Sequence, residues 1–584
     1  MTEAHLPLEQ GPAHELAEWE KAAADVLRKS RRLTDSDADS DVWDELTRTT
    51  LDGIKISPLG TPEQVAGLDE GDRPGRRGAW DVRSFICEPT GKAAAEAALN
   101  DLENGVTSLW LRVGSDGVPL DQLEAALSGV LLDVAPVVLD APDQPLEAAQ
   151  KLARIAGETK LAAGSNLGLD PIGLAARGLE STADIAQLAQ IATALGARLF
   201  VVDGTAIHDQ GASDAQELGY VLAAGVHYLR RYAEYGVEPT VAAKGLEFRL
   251  AATAEQFPTI AKFRALRRLW GRVLELSGVP ENERTMLVHG VTSRPMMAKY
   301  DPWVNMLRTT VAAFAAGVGG ADSVTVLPFD QPLGLPDPLS RRNARNTSAL
   351  LIEESHVAKV SDPAGGSYAV EKLTNDLAQA GWSEFTRLEA EGDILEALPS
   401  LLARVAGVAQ RRDAEVAKRK RPLTGLSEFP NLHETLPDRA AHPGGSDSVR
   451  RYGWAFEELR DNPVDTPVFL ATMGSVAAHT ARASFISNLL AAGGIDVVNL
   501  GAHESMDALL ASYTSPDGGQ PVVCLVGNDA AYAESGAQAV SAFRAAGANW
   551  VMVAGKPGDL GVDDSAAMGV DALDFLARTR EQLR

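Results

Sequence analysis

The chain has 584 residues, which is too many for one domain, so two to four domains are expected. Hydrophobic residues make up 45% of the sequence, enough to build large cores. The formal net charge is −26, from 80 acidic and 54 basic residues. This excess of acid argues against nucleic acid and anionic membranes, which require a basic face, and favours proteins or small molecules as partners.

The cysteines and the apolar segments indicate a reducing compartment and no membrane anchor. Cys87 and Cys524 are the only cysteines, and neither lies in a zinc-type cluster, so both are predicted to be reduced thiols. Polar residues such as His14 and Glu15 lie where a signal peptide would have its apolar run. The most apolar stretch, 311–321, is too short and too rich in glycine to cross a bilayer. We expect a cytoplasmic protein.

Residues 1–80 are predicted to form an arm of helical and extended segments. Apolar residues recur at helical spacing within 13–32, and an acidic break follows at 35–41. The residues with this spacing are Leu16, Trp19, Ala23 and Leu27. The arm either packs on a partner or remains a solvated terminal segment, and the sequence leaves both open.

Residues 81–400 alternate between short β-rich runs and longer helical runs. The predicted strands are 107–113, 135–139, 199–202, 285–288 and 323–327. The predicted helices include 182–195, 215–235 and 260–276. Repeated βα units indicate a parallel sheet with helical crossovers, and the length suits a (β/α)8 barrel of roughly 250 residues with insertions.

Residues 401–464 are predicted to form a linker. A basic cluster comes first and is interpreted as a solvated or ion-paired helix face, and a segment rich in proline and glycine follows at 422–445. The basic residues are Arg411, Arg412, Lys418, Arg419, Lys420 and Arg421.

Residues 465–584 begin a second α/β unit. The predicted strands are 467–472, 495–500, 521–526 and 550–554. An amphipathic helix over 479–492, with Phe485 and Leu489 facing inward, ends at Gly493-Gly494. This alternation within about 120 residues favours a flavodoxin-like doubly wound sheet. No G-x-G-x-x-G follows the first strand, so a dinucleotide site is not supported.

One stretch late in the barrel region, starting at Ala344, carries the most information; it reads ARNTSALLIEESHVAKVSDPAGGSY. Asn346 and Thr347 are suited to cap a helix whose residues Leu350 and Leu351 face a core. The string DPAGGS then predicts a tight turn. Local physics alone therefore predicts a helix followed by a loop.

As a whole, this string resembles the signature of the adenosylcobalamin-dependent methylmalonyl-CoA mutase family. Other segments that resemble the family are 52–59, 220–231, 289–308, 341–368 and 420–425. The resemblance implies a (β/α)8 barrel followed by a flavodoxin-like, cobalamin-binding-type domain. It also implies the interconversion of methylmalonyl-CoA and succinyl-CoA, a radical rearrangement that begins with homolysis of the cobalt–carbon bond of the cofactor.

The cobalt-binding motif of the family is not matched. There, the lower cobalt ligand is the histidine of an Asp-x-His-x-x-Gly loop after the first strand of the C-terminal domain, and the aspartate orients the imidazole. Here the loop reads MGSVAAHTAR from Met473. Anchored on Met473-Gly474, the three positions hold Val476, Ala478 and Ala481; shifted by one residue, they hold Ala477, His479 and Arg482. Neither register combines a ligand, an orienting carboxylate and a glycine.

Two later loops of the C-terminal domain also depart from the family. The Ser-x-Leu that follows a later strand is replaced by Gly527-Asn528-Asp529, and the paired glycine after the next strand is replaced by Ala554-Gly555.

The barrel departs from the family as well. The Tyr-His pair over the substrate is replaced by Thr205-Ala206, which cannot polarise a thioester carbonyl, and His208 lies two positions further on. Pro74-Gly75 runs almost directly into Ala79-Trp80, so the family's segment with an active-site tyrosine and coenzyme A contacts is predicted to be missing.

Other residue patterns that could suggest a catalytic site have simpler structural explanations. Asp301-Pro302 and Asp337-Pro338 are predicted to initiate turns. Glu353 and Glu354 are adjacent on a predicted helix and therefore point to different faces. No H-E-x-x-H, Gly-x-Ser-x-Gly or P-loop pattern occurs.

These departures predict a chain without catalytic, cofactor-binding or metal-binding residues of its own. The resemblance then implies the small subunit of a heterodimeric mutase, whose large subunit is the partner and carries the adenosylcobalamin and the substrate. Two alternatives stay open. One is a divergent acyl-CoA mutase that acts alone through His479 or His208, and the other is a regulatory or scaffold protein of the mutase.

Overall fold

The computed structural model describes residues 14–68, 76–443, 449–503 and 505–584. A closed barrel of eight parallel strands is followed by a separate five-stranded parallel sheet. The predicted fold class, a TIM-type barrel and then a flavodoxin-like domain, is confirmed. Pro74 and Gly75, on which the predicted loss of a coenzyme A segment rests, lie outside the described residues.

The N-terminal arm has a small hydrophobic core of its own. Its elements are α1 (Leu16–Lys29), α2 (Val42–Leu46), β1 (Arg48–Thr49), β2 (Lys55–Ile56) and α3 (Pro62–Val65). The rings of Trp19 and Trp43 lie 4.9 Å apart between α1 and α2, and Ala24 and Leu27 are buried beside them. The predicted helix over 13–32 is therefore present in shortened form.

The barrel closes in the order β10-β3-β4-β5-β6-β7-β8-β9. Its strands are β3 (Asp81–Ile86), β4 (Ser108–Arg112), β5 (Val137–Asp140), β6 (Asn166–Leu169), β7 (Arg198–Asp203), β8 (Leu246–Ala252), β9 (Val288–Thr292) and β10 (Ser323–Thr325). The strand predicted at 285–288 begins only at Val288, and β3, β6 and β8 were not predicted. The sequence of β8, LEFRLAA, alternates apolar and polar residues, yet every one of them is buried, because Glu247 and Arg249 form ion pairs inside the barrel.

Helices surround the barrel and continue beyond it. They are α4 (Gly91–Glu103), α5 (Leu123–Ala126), α6 (Pro145–Ala156), α7 (Pro171–Ala176), α8 (Ile185–Leu195), α9 (Thr205–His208), α10 (Asp214–Glu234), α11 (Pro239–Lys244), α12 (Gln256–Leu276), α13 (Val304–Val318), α14 (Pro338–Ala349), α15 (Tyr368–Glu391) and α16 (Ile394–Ala417). Helices α10 and α12 are buried along much of their length because α15 packs across both.

The stretch that carries the family resemblance folds differently from its local prediction. Asn346 and Thr347 lie inside α14 and do not cap a helix, because α14 already begins at Pro338 with Asp337 as its N-cap. The helix then widens into a π-helical turn, Leu350–Glu354, in which Leu351 is buried and Leu350 is 54% exposed. The predicted tight turn is present before α15.

The basic cluster at the start of the predicted linker is partly buried. Residues 401–417 belong to α16, residues 418–443 and 449–453 form neither a helix nor a regular strand, and α17 (Trp454–Asp461) comes next. Arg412 is 7% exposed and donates hydrogen bonds to the carbonyl oxygens of Gly211 and Ala212 at 2.9 and 3.2 Å. For this residue the prediction of a solvated or ion-paired face is wrong, because α16 packs it against the barrel.

The C-terminal sheet has the strand order β12-β11-β13-β14-β15, all parallel, as in flavodoxin-like domains. Its elements are β11 (Val464–Thr472), α18 (Val476–Ala492), β12 (Ile495–Val498), α19 (Met506–Tyr513), β13 (Val522–Val526), α20 (Asp529–Ala545), β14 (Trp550–Ala554), β15 (Asp564–Ala566) and α21 (Ala572–Leu583). Leu489 faces the core as predicted, whereas Phe485 is only half-buried.

Across the described parts of the chain, no helix combines the length and the apolar character needed to cross a membrane.

Candidate functional site

The carboxyl edge of the C-terminal sheet is where this type of domain binds ligands. Strand β11 ends at Thr472, and only Met473, Gly474 and Ser475 precede α18. All positions assigned to the cobalt motif, in either register, therefore lie within α18 and not on a loop.

His479 is held in that first turn. Its side chain is 6% exposed, and its Nδ1 has no hydrogen-bond partner among the described residues. The position two residues earlier holds Ala477, which has no carboxylate to fix the tautomer of the ring. His479 thus lacks the support that a metal-binding histidine normally has.

Arg482 and Tyr532 close the same edge. The Tyr532 hydroxyl accepts a hydrogen bond from the Gly527 amide at 2.9 Å and lies 2.9 Å from the Ala554 carbonyl oxygen, so it bridges the ends of β13 and β14. The Arg482 guanidinium lies 5.0 Å from the centre of the Tyr532 ring and donates to the Gly527 carbonyl at 2.7 Å. Burial raises the pKa of Tyr532 to about 12, so its hydroxyl stays protonated.

The loops that depart from the family have structural roles at this edge. Asn528 caps α20 by accepting a hydrogen bond from the Ala531 amide at 2.9 Å, and Asp529 pairs with Arg482. A Cβ added to Gly555 would lie 3.2 Å from the Arg482 guanidinium. The loops after β11, β13 and β14 therefore pack on one another, and side chains fill the space between them.

Sequence reasoning missed His503, which follows β12. Its Nδ1 lies 3.2 Å from Thr472 Oγ1, and burial together with the neighbouring His479 lowers its pKa. Only the strand order brings these residues together, because β12 pairs with β11 across a crossover. No local pattern pointed to His503.

In the barrel, the residues that replace the family's Tyr-His pair are engaged in local contacts. Thr205 begins the short helix α9, and its hydroxyl donates to Asp203 Oδ1 at 2.6 Å. Ala206 is 1% exposed and presents only a methyl group. Neither residue offers a hydrogen bond to a substrate carbonyl.

His208 lies in a buried polar network that excludes it from the barrel mouth. It is 3% exposed, and its Nε2 lies 2.7 Å from Ser293 Oγ. Its Nδ1 is 3.6 Å from Glu217 Oε2, and Lys262 Nζ donates to the same oxygen at 2.6 Å. Burial opposes ionisation of Glu217, but Lys262 and His208 outweigh it and lower the pKa of Glu217 to about 2.

A cavity of about 620 Å³ opens at the carboxyl ends of the barrel strands, where TIM-barrel enzymes have their active sites. Its wall carries four guanidinium groups that are already paired with aspartates. Arg112 donates to Asp140 at 2.7 Å, Arg177 donates to Asp203 at 2.9 Å, Arg249 donates to Asp203 at 3.4 Å, and Arg294 donates to Asp209 at 3.2 Å. Cys87 also lines the cavity, and burial raises the pKa of its thiol to about 12.

Neither site fits the ligands that the family would place there. At the sheet edge, His479 has no orienting carboxylate, and Arg482 and Tyr532 occupy the ends of β13 and β14. At the barrel mouth, the Tyr-His pair is absent and the arginines are bound to aspartates of the same chain. Within the described residues, no group of three or more His, Cys, Asp or Glu side chains could hold a metal ion.

Comparison with known proteins gives the family. The family model described as "Methylmalonyl-CoA mutase" matches residues 177–449. The methylmalonyl-CoA mutase small subunit of Streptomyces virginiae is 44% identical over 605 aligned residues, which cover 97% of this chain and 96% of that protein. The chain belongs to the methylmalonyl-CoA mutase family.

Further relatives in the mutase family are also named as small subunits. The probable small subunit of Mycobacterium tuberculosis H37Rv is 41% identical over 93% of this chain and 92% of its own length. The small subunit of Propionibacterium freudenreichii subsp. shermanii is 35% identical over 97% of this chain and 94% of its own length. The mutase family uses adenosylcobalamin, and the relatives' names imply a larger partner subunit.

Proposed function

We propose that this chain is the non-catalytic small subunit of a heterodimeric methylmalonyl-CoA mutase. The large subunit carries the adenosylcobalamin and isomerises the substrate, and this chain stabilises it through a broad interface. The sheet edge carries the proposal: His479 lies in a helix with no carboxylate two residues before it, and Arg482 and Tyr532 occupy the ends of β13 and β14.

The alternative of an independent acyl-CoA mutase receives less support. It requires His208 or His479 to reach a substrate or a cofactor, but both side chains are at least nine-tenths buried. His208 is also committed to Ser293 and Glu217. The alternative of a regulatory or scaffold protein has no specific observation in its favour.

The stoichiometry of the cofactor tests the proposal. The complex of this chain with its large subunit is purified, saturated with adenosylcobalamin and desalted, and corrin absorbance is compared with protein concentration. We expect one cobalamin per pair, and the same value for the His479→Ala variant. Two cobalamins per pair would contradict the proposal, and so would a loss of cofactor in the variant.

A spectroscopic measurement on the isolated full-length chain gives a second test. Cob(II)alamin is mixed with chain that carries either natural nitrogen or ¹⁵N, and the electron paramagnetic resonance spectra are compared. We expect identical spectra, because no protein nitrogen binds the cobalt. A change in the nitrogen superhyperfine pattern on labelling would reveal a protein imidazole beneath the metal and refute the assignment.

A further inference from the structure

Exposed apolar side chains are concentrated on the outer side of helices α13 and α14 and on the segment that follows them. Of the 22 large hydrophobic residues that are exposed in the described parts of the chain, six lie within residues 303–368. These six are Trp303, Leu307, Leu339, Leu350, Val360 and Tyr368. Single exposed apolar residues are normal on a protein surface, whereas a cluster of them marks an interaction site.

The centre of this cluster is one continuous patch across two neighbouring helices. Helices α13 and α14 pack side by side on the outside of the barrel, and Asn343 Nδ2 on α14 donates a hydrogen bond to Met306 Sδ on α13 at 3.7 Å. Leu307 follows Met306, and Arg342 precedes Asn343, so exposed residues flank this contact on both helices. We call this patch the α13–α14 face, and its residues are Trp303, Leu307, Leu339, Arg342 and Leu350.

Trp303 and Leu350 are fixed in exposed positions. The Trp303 ring stacks on the buried ring of Phe329, with the two centres 4.9 Å apart, yet Trp303 is 47% exposed. Leu350 begins the π-helical turn, which buries Leu351 and leaves Leu350 in solvent. Such turns are frequent at functional sites, and a side chain that is already ordered loses little conformational freedom when a partner covers it.

The charge of these two helices is opposite to that of the whole chain. Together α13 and α14 contain four arginines and no acidic residue, whereas the chain has a net charge of −26. Arg342 is exposed and forms no ion pair with any residue that the structure describes. The other three arginines make hydrogen bonds within the chain: Arg308, Arg341 and Arg345.

This charge pattern favours a different chain, and not a second copy of this one, as the occupant of the face. In a twofold-symmetric pair the face would meet itself, and neither helix offers a carboxylate to Arg342. The acidic residues closest along the chain are either paired, as Asp337 is with Arg439, or lie about three helical turns from Arg342. A different subunit can supply the missing carboxylate, and tryptophan and arginine are common anchors of protein interfaces.

We propose that the α13–α14 face docks the large subunit of the mutase. Trp303, Leu307 and Leu350 become buried against apolar side chains of that subunit, and Arg342 pairs with one of its carboxylates. This inference rests on the proposed function, because the occupant is the partner that the proposed function assigns. Permanent interfaces between subunits are large and apolar, which is the character that this face has.

Titration of variant chains with the large subunit, followed by sedimentation velocity, tests the face. We expect Leu307→Asp and Arg342→Glu each to weaken the association at least about tenfold, because the first buries a charge and the second reverses one. Val134→Asp is the matched control, since Val134 and Leu307 are both 68% exposed. Val134 precedes β5, which lies opposite β9 in the barrel, so this variant should assemble like the unmodified chain.

Hydrogen exchange gives a second measurement that needs no variant. In the complex, the amides in the first turns of α13 and α14 should exchange more slowly than in the isolated full-length chain, whereas those around Val134 should be unchanged. Normal assembly of folded Leu307→Asp, with no change of exchange on either helix, would refute the docking face and leave the proposed function intact.

Two other outcomes would also contradict the docking proposal, and they have different meanings. If the chain did not bind the large subunit at all, the proposed function would fail together with the face. If Leu307→Asp abolished self-association of the isolated chain but left assembly with the large subunit unchanged, the occupant of the face would be a second copy.

Discussion

At the scale of single residues, two carboxyl groups at the barrel mouth have pKa values that are shifted in opposite directions by burial and by neighbouring charges. Burial and the adjacent Asp203 raise the pKa of Asp170 to about 7, even though Tyr228 donates a hydrogen bond to it at 2.6 Å. Burial also opposes ionisation of Asp203, but Arg249 and Arg177 hold its pKa well below the usual range. Below neutral pH, Asp170, which directly follows β6, is therefore mostly protonated, whereas Asp203, at the end of β7, is ionised.

Asp170 makes the stability of the chain depend on pH in a predictable direction. Its pKa is higher in the folded chain than the value of 3.8 expected after unfolding, so its contribution to stability is present in acid and is lost between about pH 4 and pH 7. Relative to the unmodified chain, Asp170→Asn should gain stability over this range by at most about 1.4 kcal/mol per pH unit. Urea unfolding at pH 5, 6, 7 and 8 measures the difference.

The matched control for this prediction is Asp143→Asn. Hydrogen bonds from Ser115 lower the pKa of Asp143, so both its folded and unfolded forms are ionised above pH 5. The difference between this variant and the unmodified chain should therefore stay constant from pH 5 to pH 8. If the stability difference between Asp170→Asn and the unmodified chain were also constant over this range, the Asp170 carboxyl would not titrate near neutrality.

At the scale of elements, α14, which contains the start of the stretch that resembles the family, shows how the N-cap of a helix can be predicted at the wrong residue. Asn346 and Thr347 are good capping residues by type, but Asp337-Pro338, nine residues earlier, provides an N-cap and a first-turn proline. The Asp337 side chain accepts a hydrogen bond from the Ser340 amide at 2.8 Å. Thr347 instead bonds back to the Asn343 carbonyl at 2.9 Å, as hydroxyl residues inside helices do.

Asp337 has two separable roles at the start of α14. Asp337→Ala removes both the cap and the ion pair with Arg439, at 2.8 Å, and should lower the free energy of unfolding by about 1–2 kcal/mol. Asp337→Asn keeps a capping oxygen and loses only the charge, so it should cost less than half of that. Urea unfolding of both variants tests the ranking; an Asn variant as unstable as the Ala variant would show that the ion pair, not the cap, matters.

At the scale of the whole molecule, one buried ionic network joins the arm and the barrel. Lys262 on α12 donates to Asp214 and Glu217 on α10 at 2.9 and 2.6 Å, and the Lys262 and Glu217 side chains are fully buried. Asp52 of the arm accepts a hydrogen bond from the Ala215 amide at 3.3 Å, and burial raises its pKa to about 6. The two regions therefore meet close to a single ammonium group.

Removing that ammonium should destabilise the chain strongly. Lys262→Met leaves Glu217 buried without a counter-charge, and we expect a loss of about 3–5 kcal/mol in the free energy of unfolding. The double variant Lys262→Met with Glu217→Gln removes the stranded charge and should regain a large part of the loss. Lys244→Met, which breaks an exposed pair with Glu283 at 2.8 Å, is the control and should change stability by less than about 1 kcal/mol. A double variant as unstable as the single one would contradict this explanation.

The sequence by itself determined the order of the two α/β units and the replacement of the cobalt and substrate motifs. These properties are local, because strand–helix alternation and motif spacing involve residues that are close along the chain. The ends of the elements are harder to read from sequence, and β8 was not predicted although its sequence, LEFRLAA, alternates apolar and polar residues. The absence of a carboxylate two residues before His479 can also be read from the sequence, because that motif spans only a few residues.

Only the tertiary structure shows which contacts are made by the residues at the positions of the family's motifs. Arg482 reaches Tyr532 across the sheet edge, His208 is enclosed through contacts with Ser293 and Glu217, and Arg249 meets Asp203 between neighbouring strands. Apart from His208 and Glu217, these partners are separated by tens of residues, and strand order and helix packing bring them together, neither of which a local pattern encodes. The sequence therefore predicts that the family's motifs are replaced, whereas the fold shows which side chains stand in their places: Arg482 and Tyr532 at the sheet edge, and paired arginines and aspartates around the open cavity of the barrel.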